Sequence, residues 1–199
     1  MKKILVVTSS VSGTQGQSNQ LINYFLQQAP NSVEVQQLDL VEHSLPHLTM
    51  ADLVAWNTEV AERTEVQQQL AALSDDAIAA VAAADLLVIG VPMYNFGVPT
   101  QMKAWLDRIA RAGVTFRYTE QGPVGLLADK PVLFIATRGG LYQGTAQDSQ
   151  TTFLRQFFQF IGLNQQHFVY AEALNMGQAE PATATAKAEL LALASRWLR

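Results

Sequence analysis

Short apolar runs separated by long helical stretches constrain the fold of this chain more than any other feature of its sequence. Residues 4–7, 86–91 and 132–136 are continuously apolar, which is typical of strands that are buried on both faces. Residues 33–38 alternate between apolar and polar and are predicted to form a strand nearer an edge, and residues 167–171 are predicted as a fifth strand. Strands that alternate with helices indicate an α/β fold, with a five-stranded, doubly wound parallel sheet covered by helices on both faces.

Helices are predicted between these strands. Residues 18–28 have apolar side chains spaced for one helical face, and residues 50–84 have a helical pattern with Ser74 as an internal cap. Further helices are predicted from Pro99 to a stop at Gly113, over residues 152–161 before Gly162, and over residues 182–198. Because 199 residues without a linker or a repeat suit one core, a single domain over residues 1–199 is expected.

The composition excludes several classes of function. The chain carries 13 Lys and Arg against 17 Asp and Glu, a formal net charge of -4, and no basic run that could neutralise nucleic-acid phosphates. It has no cysteine, so thiol catalysis, disulfides and cysteine-ligated metal centres are excluded. No apolar stretch approaches the roughly 20 residues of a membrane span, and residues 4–7 are too few for the apolar region of a signal peptide. We therefore expect a cytoplasmic protein that has neither nucleic acid nor a membrane as its partner.

The loop after the first strand combines hydroxyl, amide and glycine residues directly before a helix. It runs from Ser9 to Asn19 and includes Gly13 and Gly16. Such a segment is suited to holding a phosphate with hydroxyl groups and with free backbone N–H groups at the helix N-terminus, without a cation. It has neither the lysine of a P-loop nor the G-x-G-x-x-G spacing of a dinucleotide site. A polar turn capped by Ser18 is the alternative.

Two further loops follow the third and fourth strands. Residues 92–99 place two aromatic residues, a Met and an Asn between prolines, which suits one face of a flat ring; the alternative is that these side chains cap the core. Residues 137–140 end in two glycines, which let a backbone approach a planar ligand closely, although an ordinary turn would also use them. Three such loops at the ends of parallel strands together fit a small phosphorylated ring compound such as FMN.

A metal site and a dinucleotide site are not predicted. His43 and His47 are four residues apart, but Pro46 between them is incompatible with a pair of metal ligands on one helix. Asp39 ends the second strand, where a dinucleotide fold would place an acid on the ribose. Since the glycine fingerprint is missing, Asp39 is predicted to stabilise a cap or a turn instead.

Three arginines lie close together in the sequence. Arg108, Arg111 and Arg117 are predicted to form a solvated face, and a contact from Arg117 to the phosphates of a pyridine nucleotide is the alternative. No side chain is predicted to act as a nucleophile, and none is assigned as a general acid.

Six segments along the chain carry a resemblance to a known enzyme family. They are Ser9-Ser10 with Gln17-Ser18-Asn19-Gln20, Pro92-Met93-Tyr94-Asn95-Phe96, the stretch from Ala112 to Glu120 that reads Ala-Gly-Val-Thr-Phe-Arg-Tyr-Thr-Glu, Arg138-Gly139-Gly140 and Phe160-Ile161-Gly162. With these segments, which extend over essentially the whole chain, the protein resembles the FMN-dependent NADH:quinone reductase and azoreductase family, which has the flavodoxin-like fold. The Met-Tyr-Asn-Phe and Gly-Val-Thr-Phe-Arg-Tyr-Thr stretches are specific.

The resemblance implies a role for each matched residue. The FMN phosphate would be held by Ser10, Gly16, Gln17 and Ser18. The ribityl chain and the isoalloxazine would be lined by Met93, Tyr94, Asn95 and Phe96, with the Asn95 backbone near N5, and the pyrimidine end would contact Thr137, Arg138, Gly139 and Gly140. The substrate face would be lined by Tyr118 and Phe160, with Phe160 donated by the second subunit of a homodimer.

Two of these positions depart from the family pattern. Gly16 stands where relatives often have Ser, so one hydroxyl contact to the phosphate is lost or replaced by a backbone N–H. Thr137 replaces a common Ser and keeps the hydroxyl.

The resemblance also implies the chemistry. FMN would be the bound cofactor and NADH or NADPH the electron donor, and two electrons would pass to quinones or azo compounds at one shared site, by a ping-pong mechanism. A flavodoxin-type electron carrier is the alternative, and a flavin-free structural domain is a third. Carriers are usually shorter and more strongly acidic, and a hairpin predicted over residues 114–126 and the long region 50–84 add walls suited to a substrate cleft.

Overall fold

A central sheet of five parallel strands organises residues 1–198, the part of the chain that the computed structural model describes. Its strands are β1 (Lys2–Thr8), β2 (Val33–Asp39), β3 (Leu86–Pro92), β6 (Val132–Thr137) and β7 (Gln166–Ala171). A separate antiparallel hairpin consists of β4 (Phe116–Thr119) and β5 (Gly122–Gly125). The order in the sheet is β2-β1-β3-β6-β7, with every neighbouring pair parallel, so the predicted α/β architecture is confirmed.

Helices cover both faces of this sheet, as predicted. They are α1 (Gln17–Leu26), α2 (Met50–Asn57), α3 (Glu65–Ala83), α4 (Thr100–Ile109), α5 (Ser149–Phe160) and α6 (Ala179–Trp197). On one face α3, α4 and α5 bury Trp105 and Phe158 against the strands, and on the other face α1 and α6 bury Phe25 and Leu190. Two apolar layers thus flank the sheet, one on each face.

The helical pattern predicted over residues 50–84 forms two helices, and the break between them does not lie at Ser74. The chain leaves α2, makes a short 3-10 turn and begins α3 at a capping box, in which the Thr64 hydroxyl accepts the N–H of Gln67 and the Gln67 side chain accepts the N–H of Thr64. Ser74 caps no helix. It lies inside α3, and its hydroxyl donates to the carbonyl of Arg108 at 2.7 Å.

Several smaller predictions hold. Strand β2 lies at an edge of the sheet, and the predicted hairpin forms within residues 114–126. Asp39 stabilises a turn, because its Oδ1 accepts the N–H groups of Val41 and Glu42 at 2.8 and 3.3 Å. Among residues 1–198, no helix combines the length and the apolar character needed to cross a membrane.

Two of the three arginines predicted to be solvated are buried. The guanidinium of Arg108 is completely buried and donates to Oδ1 of Asp52 at 2.9 Å. Arg111 is also buried and pairs with Asp75, whereas Arg117 is exposed. The apolar spacing of α4 predicts the helix correctly. It does not indicate whether an arginine forms an ion pair with a carboxylate on another helix.

Removing the charge of Asp52 tests the buried pair. Burial would raise the pKa of Asp52, but hydrogen bonds from Thr49 and Arg108 outweigh this effect and hold its pKa below the usual value. Asp52→Asn is expected to lower the free energy of unfolding by about 3–5 kcal/mol at neutral pH, because Arg108 stays buried without its counter-charge.

The pH dependence of this effect follows from the same shift. A carboxyl group whose pKa is lowered by folding stabilises the fold above its ordinary pKa and loses this contribution as the pH falls towards the folded-state value. The gap between unmodified and Asp52→Asn protein should therefore shrink below about pH 4, measured by urea unfolding. A gap that does not change with pH would contradict the ion pair.

Candidate cofactor site

Three loops meet at the carboxyl edge of the sheet. Strands β1 and β3 are neighbours, and β3 and β6 pair up to their last residues, Pro92 and Thr137. The N–H of Met93 donates to the carbonyl of Thr137 at 2.9 Å, which extends this pairing into the loops. Because β1 is flanked by β2 on one side and by β3 on the other, the strand order reverses here, and sheets of this kind bind ligands in the crevice at such a point.

The loop after β1 presents unpaired donors around the start of α1. Gly16 precedes the helix and provides no side-chain cap, and within the described residues the N–H groups of Gln17, Ser18 and Asn19 have no acceptor. Ser18 is fully buried, and its hydroxyl also lacks a partner. The alternative of a turn capped by Ser18 is wrong, because the helix begins at Gln17 and places Ser18 in its first turn. Buried donors without partners are costly, so these groups fit an anion such as a phosphate.

Gly16 allows this loop to fold back on Ser10. Ser10 is buried, and a Cβ at position 16 would lie 2.7 Å from the Ser10 Cβ, well inside contact distance. The Ser10 hydroxyl lies 3.5 Å from the phenol oxygen of Tyr94, which joins the first loop to the second. A side chain at position 16 would therefore force Ser10 or the loop to shift, and the contribution of Gly16 to an anion site is its backbone.

The loop after β3 is a tight turn with an unusual backbone. Tyr94 and Gly97 exchange hydrogen bonds of 3.2 and 3.0 Å, and Asn95 and Phe96 between them have φ angles of 49° and 66°. A left-handed conformation at such residues costs on the order of 1–3 kcal/mol and persists where the surroundings enforce it, often at binding sites. The Phe96 side chain is 57% exposed. The turn thus presents the Phe96 ring and the Asn95 backbone at the carboxyl edge of the sheet, where a ligand would bind.

The first turn of α5 holds this strained turn in place. The hydroxyl of Ser149 donates to the carbonyl of Phe96 at 2.6 Å. Nε2 of Gln150 donates to the carbonyls of Pro92 and Gly97 at 3.2 and 2.9 Å. Both residues support the candidate site without being part of the predicted set.

An N-cap in the sequence could have revealed Ser149 and Gln150. The apolar pattern predicts that this helix begins at Thr152, whereas α5 begins at Ser149. Asp148 is a preferred N-cap residue, and its side chain accepts the N–H of Thr151 at 3.0 Å. Its position shortly before an apolar helical stretch therefore predicts the observed start.

The loop after β6 leaves two glycine N–H groups free. The carbonyls of residues 138–140 accept N–H groups from residues 173–175 at 2.9–3.1 Å, but the N–H groups of Gly139 and Gly140 have no acceptor within residues 1–198. A Cβ at Gly139 would lie 2.6 Å from Nδ2 of Asn175, so a larger residue there would displace the Asn175 side chain. Thr137 is buried at the end of the strand. The free donors suit the carbonyl-bearing edge of a planar ligand.

Arg138 faces the protein interior, although it was predicted to contact the cofactor. Its guanidinium is fully buried and donates to Asp148 at 2.8 Å and to Glu172 at 3.1 Å. Its N–H donates to the carbonyl of Ala171 at 2.9 Å. In this arrangement Arg138 supports the loop, and the neighbouring glycines present the donors.

Tyr118 and Phe160 both contact Phe116, and within residues 1–198 neither is in aromatic contact with the three loops. Phe160 packs against Phe116 with ring centroids 4.1 Å apart, and Phe116 contacts Tyr118 at 5.6 Å. Phe160 is the last residue of α5, whereas Ser149 at its start touches the turn after β3. Twelve residues at 1.5 Å per residue span about 18 Å. Within one chain Phe160 thus lies about one helix length from the turn after β3.

Comparison with known proteins defines the class to which this fold and site belong. The model of a family described as having a flavodoxin-like fold matches residues 2–194. The crystal structure of an FMN-dependent NADH-azoreductase from Bacillus anthracis in complex with FMN aligns with a TM-score of 0.90 at 26% identity, covering 100% of both chains.

Relatives of closer sequence narrow the class further. A protein of Alteromonas mediterranea named FMN-dependent NADH:quinone oxidoreductase is 49% identical over 190 residues, which cover 94% of this chain and 95% of the relative. One of the same name from Cellvibrio japonicus is 48% identical over 194 residues, covering 96% and 97%. The chain belongs to this family of FMN-dependent NADH:quinone oxidoreductases with the flavodoxin-like fold.

Proposed function

We propose that the protein is an FMN-dependent NADH:quinone oxidoreductase that also cleaves azo compounds reductively. The observation that carries this proposal is the buried, unpaired hydroxyl of Ser18 beside the unpaired N–H groups at the start of α1. These donors fit a phosphate, and the turn after β3 and the loop after β6 frame the space beside it for a ring. The names of the relatives and of the structural neighbour support the same activity.

The three loops divide the binding of FMN between them. The phosphate would be held by Ser10, Gly16, Gln17 and Ser18, the ring would be lined by Met93, Tyr94, Asn95 and Phe96, and its pyrimidine end would meet Thr137, Gly139 and Gly140, with Arg138 supporting that loop. When bound, FMN supplies the two-electron chemistry that connects NADH to its acceptor. The protein would bind and orient it, and the free backbone N–H groups of Gly139 and Gly140 would stabilise negative charge at the edge of the ring.

The test of this proposal is NADH oxidation by purified protein reconstituted with FMN. We expect about one FMN per chain and FMN-dependent reduction of both a benzoquinone and an azo dye. Initial rates should give parallel double-reciprocal lines, because donor and acceptor use one site in turn. Protein that binds FMN but reduces neither acceptor would favour the electron carrier instead, and protein that binds no FMN would overturn both readings.

We also propose a homodimer in which a second copy supplies aromatic residues to the site. Phe160 lies at the far end of α5, about one helix length from the turn that Ser149 contacts, and so is too far to cover a ring bound to the loops of its own chain. The hairpin segment that carries Tyr118 also exposes Val114, Val124 and Leu126, whose side chains are 43%, 43% and 39% accessible. Exposed apolar side chains gathered on one segment favour contact with another protein surface. Light scattering should give a dimer, and active monomers at assay concentration would contradict the proposal.

Phe160→Ala is expected to affect the acceptor more than FMN. We expect kcat/KM for the quinone to fall about tenfold, equivalent to ~1.4 kcal/mol, while the dissociation constant of FMN stays within about threefold. Phe153→Ala is the matched control, because Phe153 is also half-buried on α5 but belongs to another aromatic contact. Equal losses of FMN affinity and of quinone reduction would identify Phe160 as ordinary core.

The compartment and the extent of the domain complete the proposal. A chain without cysteine that uses NADH as donor suits the cytoplasm, with small quinones and azo compounds as its partners. Both apolar layers pack on the same sheet, which supports one domain over residues 1–199. NADH and NADPH compared as donors in the same assay establish the nucleotide preference.

A further inference from the structure

A buried charge cluster adjoins the loop that carries the two free glycine N–H groups. The guanidinium of Arg138 donates to Asp148 at 2.8 Å, to the hydroxyl of Thr151 at 2.7 Å and to Glu172 at 3.1 Å. The ring of Tyr170 packs against the guanidinium at 4.9 Å. We refer to Arg138, Asp148 and Glu172 as the Arg138 cluster.

Glu172 connects the Arg138 cluster to the loop after β6. Its Oε1 accepts from Arg138 and from the backbone N–H groups of Tyr142 and Gln143, both at 2.9 Å. Residues 173–175, which follow Glu172 directly, donate to the carbonyls of residues 138–140. The carbonyl groups of residues 138–140 are therefore all held by hydrogen bonds, and the N–H groups of Gly139 and Gly140 stay free for a ligand.

Asp148 connects the same cluster to the turn after β3. Its Oδ1 accepts from Arg138 and caps α5 through the N–H of Thr151. Burial would raise the pKa of Asp148, but the hydrogen bonds from Arg138 and Thr151 outweigh this effect and lower its pKa, so it is charged at neutral pH. The next residue, Ser149, holds the carbonyl of Phe96. A continuous series of contacts thus connects the loop after β6 to the turn after β3.

We propose that Arg138 and Glu172 are positioning residues. They hold the loop after β6 in a fixed position relative to the turn after β3, so that the N–H groups of Gly139 and Gly140 stabilise reduced FMN. The proposal rests on the function proposed above. Hydrogen bonds to a charged acceptor are about twice as strong as neutral ones, so a loss of register weakens binding of the reduced, anionic cofactor more than that of the oxidised one. A change in the reduction potential of bound FMN follows, which a purely structural role would not produce.

Two substitutions at Glu172 separate geometry from charge. Glu172→Ala removes the acceptor of the loop N–H groups, whereas Glu172→Gln removes the same charge and keeps an acceptor oxygen. For Glu172→Ala we expect about tenfold weaker binding of oxidised FMN and about a hundredfold weaker binding of reduced FMN, which lowers the midpoint potential by about 30 mV. For Glu172→Gln we expect binding within about threefold and a midpoint potential no lower than that of the unmodified protein.

Glu189→Ala is the control for this comparison, and Glu172→Ser is a second variant at the tested position. Glu189→Ala removes an exposed carboxylate that pairs with His167 on the other side of β7, and it should change neither FMN binding nor the potential. If Glu172→Ala does not fold, Glu172→Ser carries the same prediction, because its short side chain does not reach the loop.

A double-mutant cycle tests the coupling between the loops. Ser149→Ala removes the hydroxyl that holds the carbonyl of Phe96. Because residues in one hydrogen-bond network are not additive, the effect of Ser149→Ala combined with Glu172→Ala on the FMN dissociation constant should differ at least about threefold from the product of the single effects.

Three outcomes would overturn the proposal. They are equal shifts of the potential in Glu172→Ala and Glu172→Gln, a loss of affinity that is the same for oxidised and reduced FMN, and multiplicative effects in the cycle. Failure of the proposed function is seen separately, because unmodified protein would then bind no FMN at the outset.

Discussion

Ser18→Ala should weaken FMN binding roughly 10- to 100-fold while leaving the ligand-free protein at least as stable as before. A hydrogen bond to a charged group contributes about 1.5–3 kcal/mol, and the Ser18 hydroxyl is a donor that the phosphate would lose. In the ligand-free protein this hydroxyl is buried without a partner, so its removal relieves a desolvation cost. Fluorescence titration with FMN and thermal unfolding of the ligand-free protein measure the two effects.

The opposite directions of these two effects make the prediction specific. Riboflavin has no phosphate, so its affinity should be the same in Ser18→Ala and unmodified protein. Ser195→Ala is the matched control, since the exposed Ser195 hydroxyl only donates to the carbonyl of Leu191 within α6. Equal weakening of FMN and riboflavin would show that the phosphate does not lie at Ser18.

Gly125→Ala should displace the hairpin that carries Tyr118. Gly125 lies in β5 against the end of α5, where an added Cβ would lie 2.5 Å from the carbonyl carbon of Ile161 and closer still to the backbone of Gly162. Neither backbone atom is free to move aside, so we expect a loss of about 3 kcal/mol of stability. For a chain of this size the melting temperature should fall by about 6–12 °C.

The consequence for function follows from where the hairpin lies. Displacement of β5 disrupts the contact between Phe116 and Phe160, so quinone reduction should fall while FMN affinity stays within about threefold. Gly97→Ala is the control for stability, because a Cβ there has its nearest neighbour at 3.8 Å. A Gly125→Ala protein with unchanged melting temperature and unchanged kcat/KM would contradict this account of the hairpin.

Apolar patterning predicted the sheet because the central strands are buried on both faces. Residues 4–7, 86–89 and 132–136 are at most 1% exposed, and such strands allow no polar alternation. The position of the three loops then follows from topology, since the segment after each parallel strand lies at one edge. The candidate site was therefore predictable as a set of loops.

Contacts between distant residues could not be predicted in this way. Arg108 was expected to be solvated because its partner Asp52 lies 56 residues earlier, and periodicity relates only residues a few positions apart. Arg138 was expected to contact the cofactor, and its partner Glu172 is 34 residues later. In both cases the partner carboxylate is brought near the arginine only by the packing of helices and strands, which local sequence spacing does not indicate.

A crystal structure of the protein with FMN bound tests the central claim most directly. The account predicts the phosphate within hydrogen-bond distance of the Ser18 hydroxyl and of the N–H groups at the start of α1. It also predicts the ring between Phe96 and Gly139-Gly140, facing Phe160 from a second copy of the chain. An FMN phosphate bound away from Ser18, or a ring outside these two loops, would contradict it.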